Sequence, residues 1–129
     1  MRNPRWFATL LSRPIGTTLF IRDTFPDGEF HLEKRKTTSS KMMRHIRFDW
    51  HGHTIAKAYS EVDVRKSSPK VIRLLRETNK PIGEIVEQFN VRRTRLRSTT
   101  RSREFHFTGD LHARVLERFY VLPKRLQQH

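Results

Sequence analysis

The fold is decided by the stretch KMMRHIRFDWHGHTIAKAYSEVDV, residues 41–64. Apolar and polar side chains alternate in its first half, which is typical of a β-strand, and one face carries Met42, Ile46, Phe48 and Trp50. His51-Gly52 follows as a turn, because glycine adopts positive φ without steric cost, and residues 54–64 return as a second strand. The stretch therefore predicts an antiparallel β-hairpin.

One basic residue, Arg44, interrupts the apolar face of this hairpin. Burying an unpaired guanidinium costs several kcal/mol, so either an internal carboxylate or a bound anionic ligand must meet it. The returning strand is rich in alanine, which leaves space on its face for a helix or a ligand. Arg44 is therefore the first candidate for a binding residue.

Length and composition limit the classes of protein to which the chain can belong. The chain has 129 residues, 35% of them hydrophobic, which predicts one domain with a modest core. It has no cysteine, which excludes disulfides and thiolate metal sites. The absence of a leader or long apolar run predicts a cytoplasmic protein without a membrane span. The net charge of +14 attracts anions from nucleic acid to small dicarboxylates, and charge alone does not indicate which of them binds. The sequence does not predict an oligomeric state.

Shorter patterns predict the remaining elements. The spacing of apolar residues and the Ser, Pro, Asn and Gly signals predict a short helix over residues 4–11, a charged strand over 29–36, a helix-turn-helix pair over 69–79 and 81–90, and a strand over 113–122. Residues 17–21 fit either a helical turn or a strand, because periodicity does not separate the two in so short an apolar run, and we favour the helix.

The basic stretch over residues 92–103 has two interpretations. Six of its twelve residues are arginine and none is acidic. Thr94, Leu96, Ser98 and Thr100 alternate with the arginines, which favours an extended edge strand over residues 92–100. The alternative is a DNA-reading helix-turn-helix over residues 81–97, with arginines on the recognition helix.

Few residues carry a signature of catalysis. His51 and His53 flank the hairpin turn, but no third ligand stands at a defined spacing, so we predict no metal site. The sequence has no recognisable Ser-His-Asp set, phosphate-binding glycine loop or carboxylate pair, and we predict no cofactor.

Three stretches together resemble the chorismate pyruvate-lyase family in order and spacing. The first is the strand of Arg44 with the turn over residues 49–53 and AKAYSE, residues 56–61. The second is RLLRETNKPIGEI, residues 73–85, whose Pro-Ile-Gly part is the most specific. The third is RFYVL, residues 118–122, which is similar to the family's Arg-x-Tyr strand. The likeness covers roughly residues 16–122.

The resemblance implies a fold, an activity and site residues. The fold would be one α+β domain over residues 1–129, with an antiparallel sheet, helices covering one face, and the helix-turn-helix closing over a buried ligand. Members of the family eliminate pyruvate from chorismate to leave 4-hydroxybenzoate, a precursor for ubiquinone biosynthesis. Arg44 matches the arginine that pairs with the ring carboxylate and would be its catalytic residue, and Ile82 and Gly83 would also contact the ligand.

The chain departs from the family at its end. The family has a key glutamate on a strand after the Arg-x-Tyr strand, whereas this chain ends with PKRLQQH, residues 123–129. Glu117 precedes Arg118, which is the wrong order, and is expected to be an ion-pair partner. Because elimination needs a positioned proton donor or acceptor, we predict ligand binding with little or no turnover.

Three hypotheses therefore stand. The chain is a chorismate lyase or its remnant, a non-catalytic binder of small aromatic carboxylates similar to the UTRA effector-sensing domains of GntR-type regulators, or a basic module that binds nucleic acid.

Overall fold

A computed structural model describes residues 2–13 and 15–128. Within them one antiparallel sheet of six strands has the order β1-β2-β3-β6-β5-β4. The strands are β1 (Glu29–Thr37), β2 (Lys41–Trp50), β3 (His53–Asp63), β4 (Val91–Ser98), β5 (Ser102–Gly109) and β6 (Ala113–Phe119). The helices are α1 (Ala8–Ser12), α2 (Thr17–Thr24), α3 (Pro69–Glu77) and α4 (Ile82–Val86), followed by a 3-10 turn at Lys124–Leu126.

The hairpin of β2 and β3 forms as predicted. Met42 lies opposite Val62 and Phe48 opposite Ala56, and all four side chains are buried. His51 and Gly52 take φ values of 48° and 74° at the turn. The alternating pattern therefore decides which face of the sheet is covered.

Helices cover one face of the sheet over two apolar clusters, which confirms the predicted α+β class. One cluster joins the N-terminal segment to the hairpin turn and the chain end, through Trp6, Phe7, Leu10, Phe25, Trp50, Phe119 and Leu126. The other lies under α3 and α4, through Met42, Val62, Val71, Leu75, Ile85, Phe105 and Phe107. Trp6, Phe7 and Leu126 lie outside residues 16–122, so the core extends beyond the stretch that carries the family likeness.

The structure contradicts the DNA-reading helix-turn-helix over residues 81–97. Residues 91–98 form strand β4, which pairs antiparallel with β5, so the arginines of this stretch do not lie on a recognition helix. The backbone of β4 forms its hydrogen bonds with β5, and the β-branched Val91 and Thr94 suit the pleated conformation. The prediction of an extended conformation is confirmed for residues 92–98.

Two other expectations need correction. Helix α4 ends at Val86 rather than near Asn90. The cause is a reciprocal pair of hydrogen bonds that turns the chain into β4: Asn90 N–H donates to Asp110 Oδ2, and Asp110 N–H donates to the Asn90 carbonyl oxygen. Strand β5 was not predicted, although Arg103, Phe105 and Phe107 alternate along it.

None of the described helices is long and apolar enough to cross a membrane.

Candidate ligand-binding cavity

A polar band crosses the covered face of the sheet between the two apolar clusters. Arg44 lies opposite Ser60, and Glu117 lies opposite both Ala58 and Arg103. All of these side chains are buried. Buried polar groups normally find hydrogen-bond partners, so the partners of each group indicate its role.

Arg44 is nearly unpaired. Its side chain is 1% exposed, and its Nη2 donates to the backbone oxygen of Lys80 at 2.7 Å, in the connection between α3 and α4. Its Nε and Nη1 are buried and have no hydrogen-bond partner within the described residues. Within this part of the chain the guanidinium therefore lacks the anionic partner that a buried arginine needs.

The surroundings of Arg44 add to this deficit. Arg35 lies directly opposite on β1 and is itself bound to the backbone oxygens of Leu75 and Thr78. Burial, and then the positive charge of Arg35, lowers the pKa of Arg44 from its ordinary value to about 10. The group remains protonated at neutral pH, so the buried positive charge persists.

Glu117 belongs to a different and satisfied network. Its Oε1 accepts bonds from Arg103 Nε at 2.6 Å and from Thr17 Oγ1 at 2.7 Å. Arg103 also donates to the backbone oxygens of Leu10 and Ile15, at 3.1 Å and 2.8 Å. Glu117 is thus an ion-pair partner, as expected, but the pair is buried and joins the N-terminal segment to the sheet.

Arg93 provides a second guanidinium with an unused donor. Its Nε is buried without a partner in the described part of the chain. The guanidinium carbon lies 4.7 Å from the ring centroid of Phe105 and 5.2 Å from that of Phe107, so the charge is held over aromatic faces. Burial, and then Arg103, lowers the pKa of Arg93.

These groups meet at a small cavity of about 30 Å³. The predicted residues Arg44, Ile82 and Gly83 all line it, together with Ser60, Arg93 and Glu117. Rings and aliphatic side chains form the rest of the wall, among them Ile46, Phe48, Phe105, Phe107 and Val115. The lining therefore combines apolar surface with two guanidiniums that have unused donors.

Helices α2 and α4 close the cavity at Gly83. A Cβ atom on Gly83 would lie 2.6 Å from Thr18 Oγ1, so only glycine permits this approach. Farther out, Arg22 on α2 and Glu84 on α4 form an exposed ion pair at 3.3 Å. A groove of about 470 Å³ lies beside this contact and shares Thr18 and Phe48 with the cavity.

The closed cavity is smaller than an aromatic ligand. Engineered protein cavities that bind benzene are about 150 Å³, so a ring-sized ligand requires α2 and α4 to separate here. The neighbouring groove provides a path, because its walls are continuous with those of the cavity.

Sequence reasoning did not assign Arg93 and Glu117 to this cavity. Glu117 carries the same signal as Arg44, since it interrupts the buried alternation of Ala113, Val115 and Phe119 on β6. Arg93 is one arginine among six in its stretch, and no local pattern distinguishes it. Its position became clear only from the pairing of β4 with β5.

The hairpin turn lies away from this cavity. His51 contacts Asp27 at 3.1 Å. Among residues 2–13 and 15–128, no group of three or more His, Asp and Glu side chains is arranged to hold a metal ion.

Comparison with known proteins gives no family: no protein-family model matches the chain, and no curated protein matches it. The resemblance to chorismate pyruvate-lyases stays a prediction.

Proposed function

We propose that the protein binds a small aromatic carboxylate of the chorismate or 4-hydroxybenzoate type in this cavity. The observation that supports the proposal is the buried guanidinium of Arg44, whose Nε and Nη1 have no partner in the described residues. A carboxylate would accept the missing bonds and offset the buried charge, and charge-assisted bonds of this kind are stronger than neutral ones.

The second guanidinium favours a ligand with two anionic groups. Arg93 also presents an unused donor in the lining of the cavity. Chorismate carries two carboxylates, whereas 4-hydroxybenzoate carries one. The apolar walls, including Phe48 and Ile82, suit the ring between them.

Elimination of pyruvate is the less supported half of the hypothesis. Glu117 is the carboxylate in the cavity wall, and its Oε1 already accepts bonds from Arg103 and Thr17. These bonds hold Glu117 against the sheet as the structural partner of Arg103, whereas elimination needs a proton donor or acceptor positioned at the ligand. We therefore expect binding with slow or no turnover, which also fits an effector-binding role.

Calorimetry with 4-hydroxybenzoate tests the binding. In Arg44→Met the ligand should bind about 10- to 100-fold more weakly, the range expected for one lost charge-assisted interaction. The matched control is Arg73→Met, which removes the same charge from the exposed surface of α3. Binding that is equal in the wild type and Arg44→Met, or equally weakened in both variants, would overturn the proposal.

A pyruvate-release assay with chorismate tests the chemistry separately. We expect release by the wild type to remain close to the rate without protein. Rapid release would contradict that expectation, and Glu117→Gln would then show whether Glu117 carries the proton, since it keeps the shape of the side chain without its charge.

A further inference from the structure

We propose that the open face of the sheet, opposite the helices, binds single-stranded nucleic acid. On β6 this face presents Arg114, Leu116 and Arg118, which are exposed and alternate with buried residues. No described helix covers it. The surface lies on the other side of the sheet from the cavity, so this proposal does not depend on the proposed function.

Three cations stand side by side on this face. Arg47 on β2 lies opposite Lys57 on β3, and Lys57 lies opposite Arg118 on β6. We call these three residues the cationic row. Like charges directly opposite each other destabilise a sheet, so the arrangement is unfavourable unless an anion offsets it.

Internal carboxylates offset only one end of the row. Arg47 forms ion pairs with Asp49 at 2.9 Å and with Glu33 at 3.3 Å. Lys57 and Arg118 have no ion-pair partner among the residues that the structure describes, and both are exposed. An external polyanion would supply the charge that is missing at these two positions, and the net charge of +14 favours its approach.

The next row along the strands is aromatic and apolar. His45 lies opposite Tyr59, with ring centroids 4.9 Å apart, and Tyr59 lies opposite Leu116. Leu116 is 40% exposed, which is unusual for a large hydrophobic side chain in this protein. Rings beside cations are the arrangement with which sheets bind single strands, because bases stack on the rings while phosphates meet the charges.

Further cations lie beyond the apolar row. Arg114, two residues before Leu116 on this face, pairs with Glu104, and Lys41 pairs with Glu61 at 3.0 Å. These residues adjoin an open hollow of about 570 Å³, which Arg65 and Lys66 also line. Because Glu61 and Glu104 neutralise that side, a strand that crosses the sheet would meet its unpaired positive charge at Lys57 and Arg118, next to the rings. A duplex hides its base faces and could use the charges but not the rings, so the arrangement favours a single strand.

Fluorescence anisotropy with a labelled oligothymidylate about 12 nucleotides long tests the surface. At fixed salt the double variant Lys57→Glu/Arg118→Glu should bind at least about 10-fold more weakly, and the slope of log K against log salt should fall by about 1.4 for two lost phosphate contacts. The matched control is Lys70→Glu/Arg73→Glu, which makes the same charge change on exposed positions of α3. It should bind within about 3-fold of the wild type.

The variant on the sheet should remain folded. In the double variant position 57 attracts Arg47 and repels position 118, so one of the two like-charge pairs of the wild type becomes an opposite-charge pair and the other stays a like-charge pair. A second pair of variants tests the ring of Tyr59. Tyr59→Ala should weaken binding of the oligonucleotide about 5- to 100-fold. Tyr59→Phe keeps the ring and loses the hydroxyl bond to Glu61, so its affinity should match that of the wild type.

Several outcomes would overturn the proposal. Equal losses in the two double variants would mean that only net charge matters. Binding of a duplex of the same length as tightly as the single strand, or equal affinities of Tyr59→Ala and Tyr59→Phe, would show that the apolar row makes no contact with bases.

Discussion

Arg44 and Arg103 are buried to the same extent on the same face of one sheet, 1% and 2% exposed, yet their environments differ in kind. Arg103 donates to five acceptors, namely Glu117 Oε1, Thr17 Oγ1 and the backbone oxygens of Leu10, Arg13 and Ile15. Among the residues that the structure describes, Arg44 donates to one acceptor, the backbone oxygen of Lys80. The described residues thus surround the Arg103 guanidinium with a carboxylate, a hydroxyl and carbonyl oxygens, whereas the Arg44 guanidinium has no such set of acceptors.

The difference separates a structural arginine from a binding one. A fully bonded guanidinium fixes the elements around it, here the N-terminal segment against β5 and β6. A guanidinium with buried, unused donors destabilises the protein until a ligand arrives, and such deficits are typical of functional sites. Three substitutions or conditions, taken from the largest expected effect to the smallest, can test this distinction.

Arg103→Met should destabilise the protein most. It leaves Glu117 buried without its cation and five acceptors without their donor, and breaking a buried ion pair typically costs about 3 to 5 kcal/mol. Urea unfolding followed by circular dichroism measures the loss. The neighbouring Arg101→Met, at an exposed position, should stay within about 0.5 kcal/mol of the wild type. A loss below about 1 kcal/mol for Arg103→Met would mean that its network is not structural.

Arg44→Met should not lower the free energy of unfolding, in contrast to Arg103→Met. Methionine fills a similar volume without charge, and replacing a poorly compensated buried ion by an apolar side chain is often neutral or stabilising. We expect the free energy of unfolding to rise by about 1 kcal/mol or to stay unchanged while ligand binding weakens about 10- to 100-fold. A loss of stability close to that of Arg103→Met would show that Arg44 is bonded in solution, and the comparison would fail.

The sequence predicted these two arginines unequally well. Arg44 was found because it interrupts an alternating apolar strand whose turn is clearly marked. Arg103 was hidden in a stretch with six arginines, and its acceptors lie about 90 residues away in the chain, at Leu10, Arg13 and Ile15. Carbonyl acceptors carry no sequence signal, because every residue has one.

The cavity itself was only partly predictable. The family resemblance implies that Ile82 and Gly83 contact the ligand, and both residues line the cavity beside Arg44. The close approach of Gly83 to Thr18 depends on how α2 and α4 pack, which no local pattern contains. Glu117 could have been found by the same argument as Arg44, since both interrupt a buried alternation, but its place in the family order suggested an ordinary ion pair.

The smallest expected effect concerns pH. Burial lowers the pKa of Arg44 to about 10, so the guanidinium is charged in both the folded and unfolded chain at neutral pH. Because the folded state binds this proton less tightly, Arg44 makes stability rise with pH only above that value, until the unfolded chain loses the proton as well. Affinity for 4-hydroxybenzoate should therefore stay constant within about 2-fold from about pH 6 to 8, where the ligand carboxylate is ionised as well. Calorimetry across that range at constant ionic strength measures it. A 10-fold decline as the pH rises through about 6.5 would indicate that a histidine, and not Arg44, holds the carboxylate.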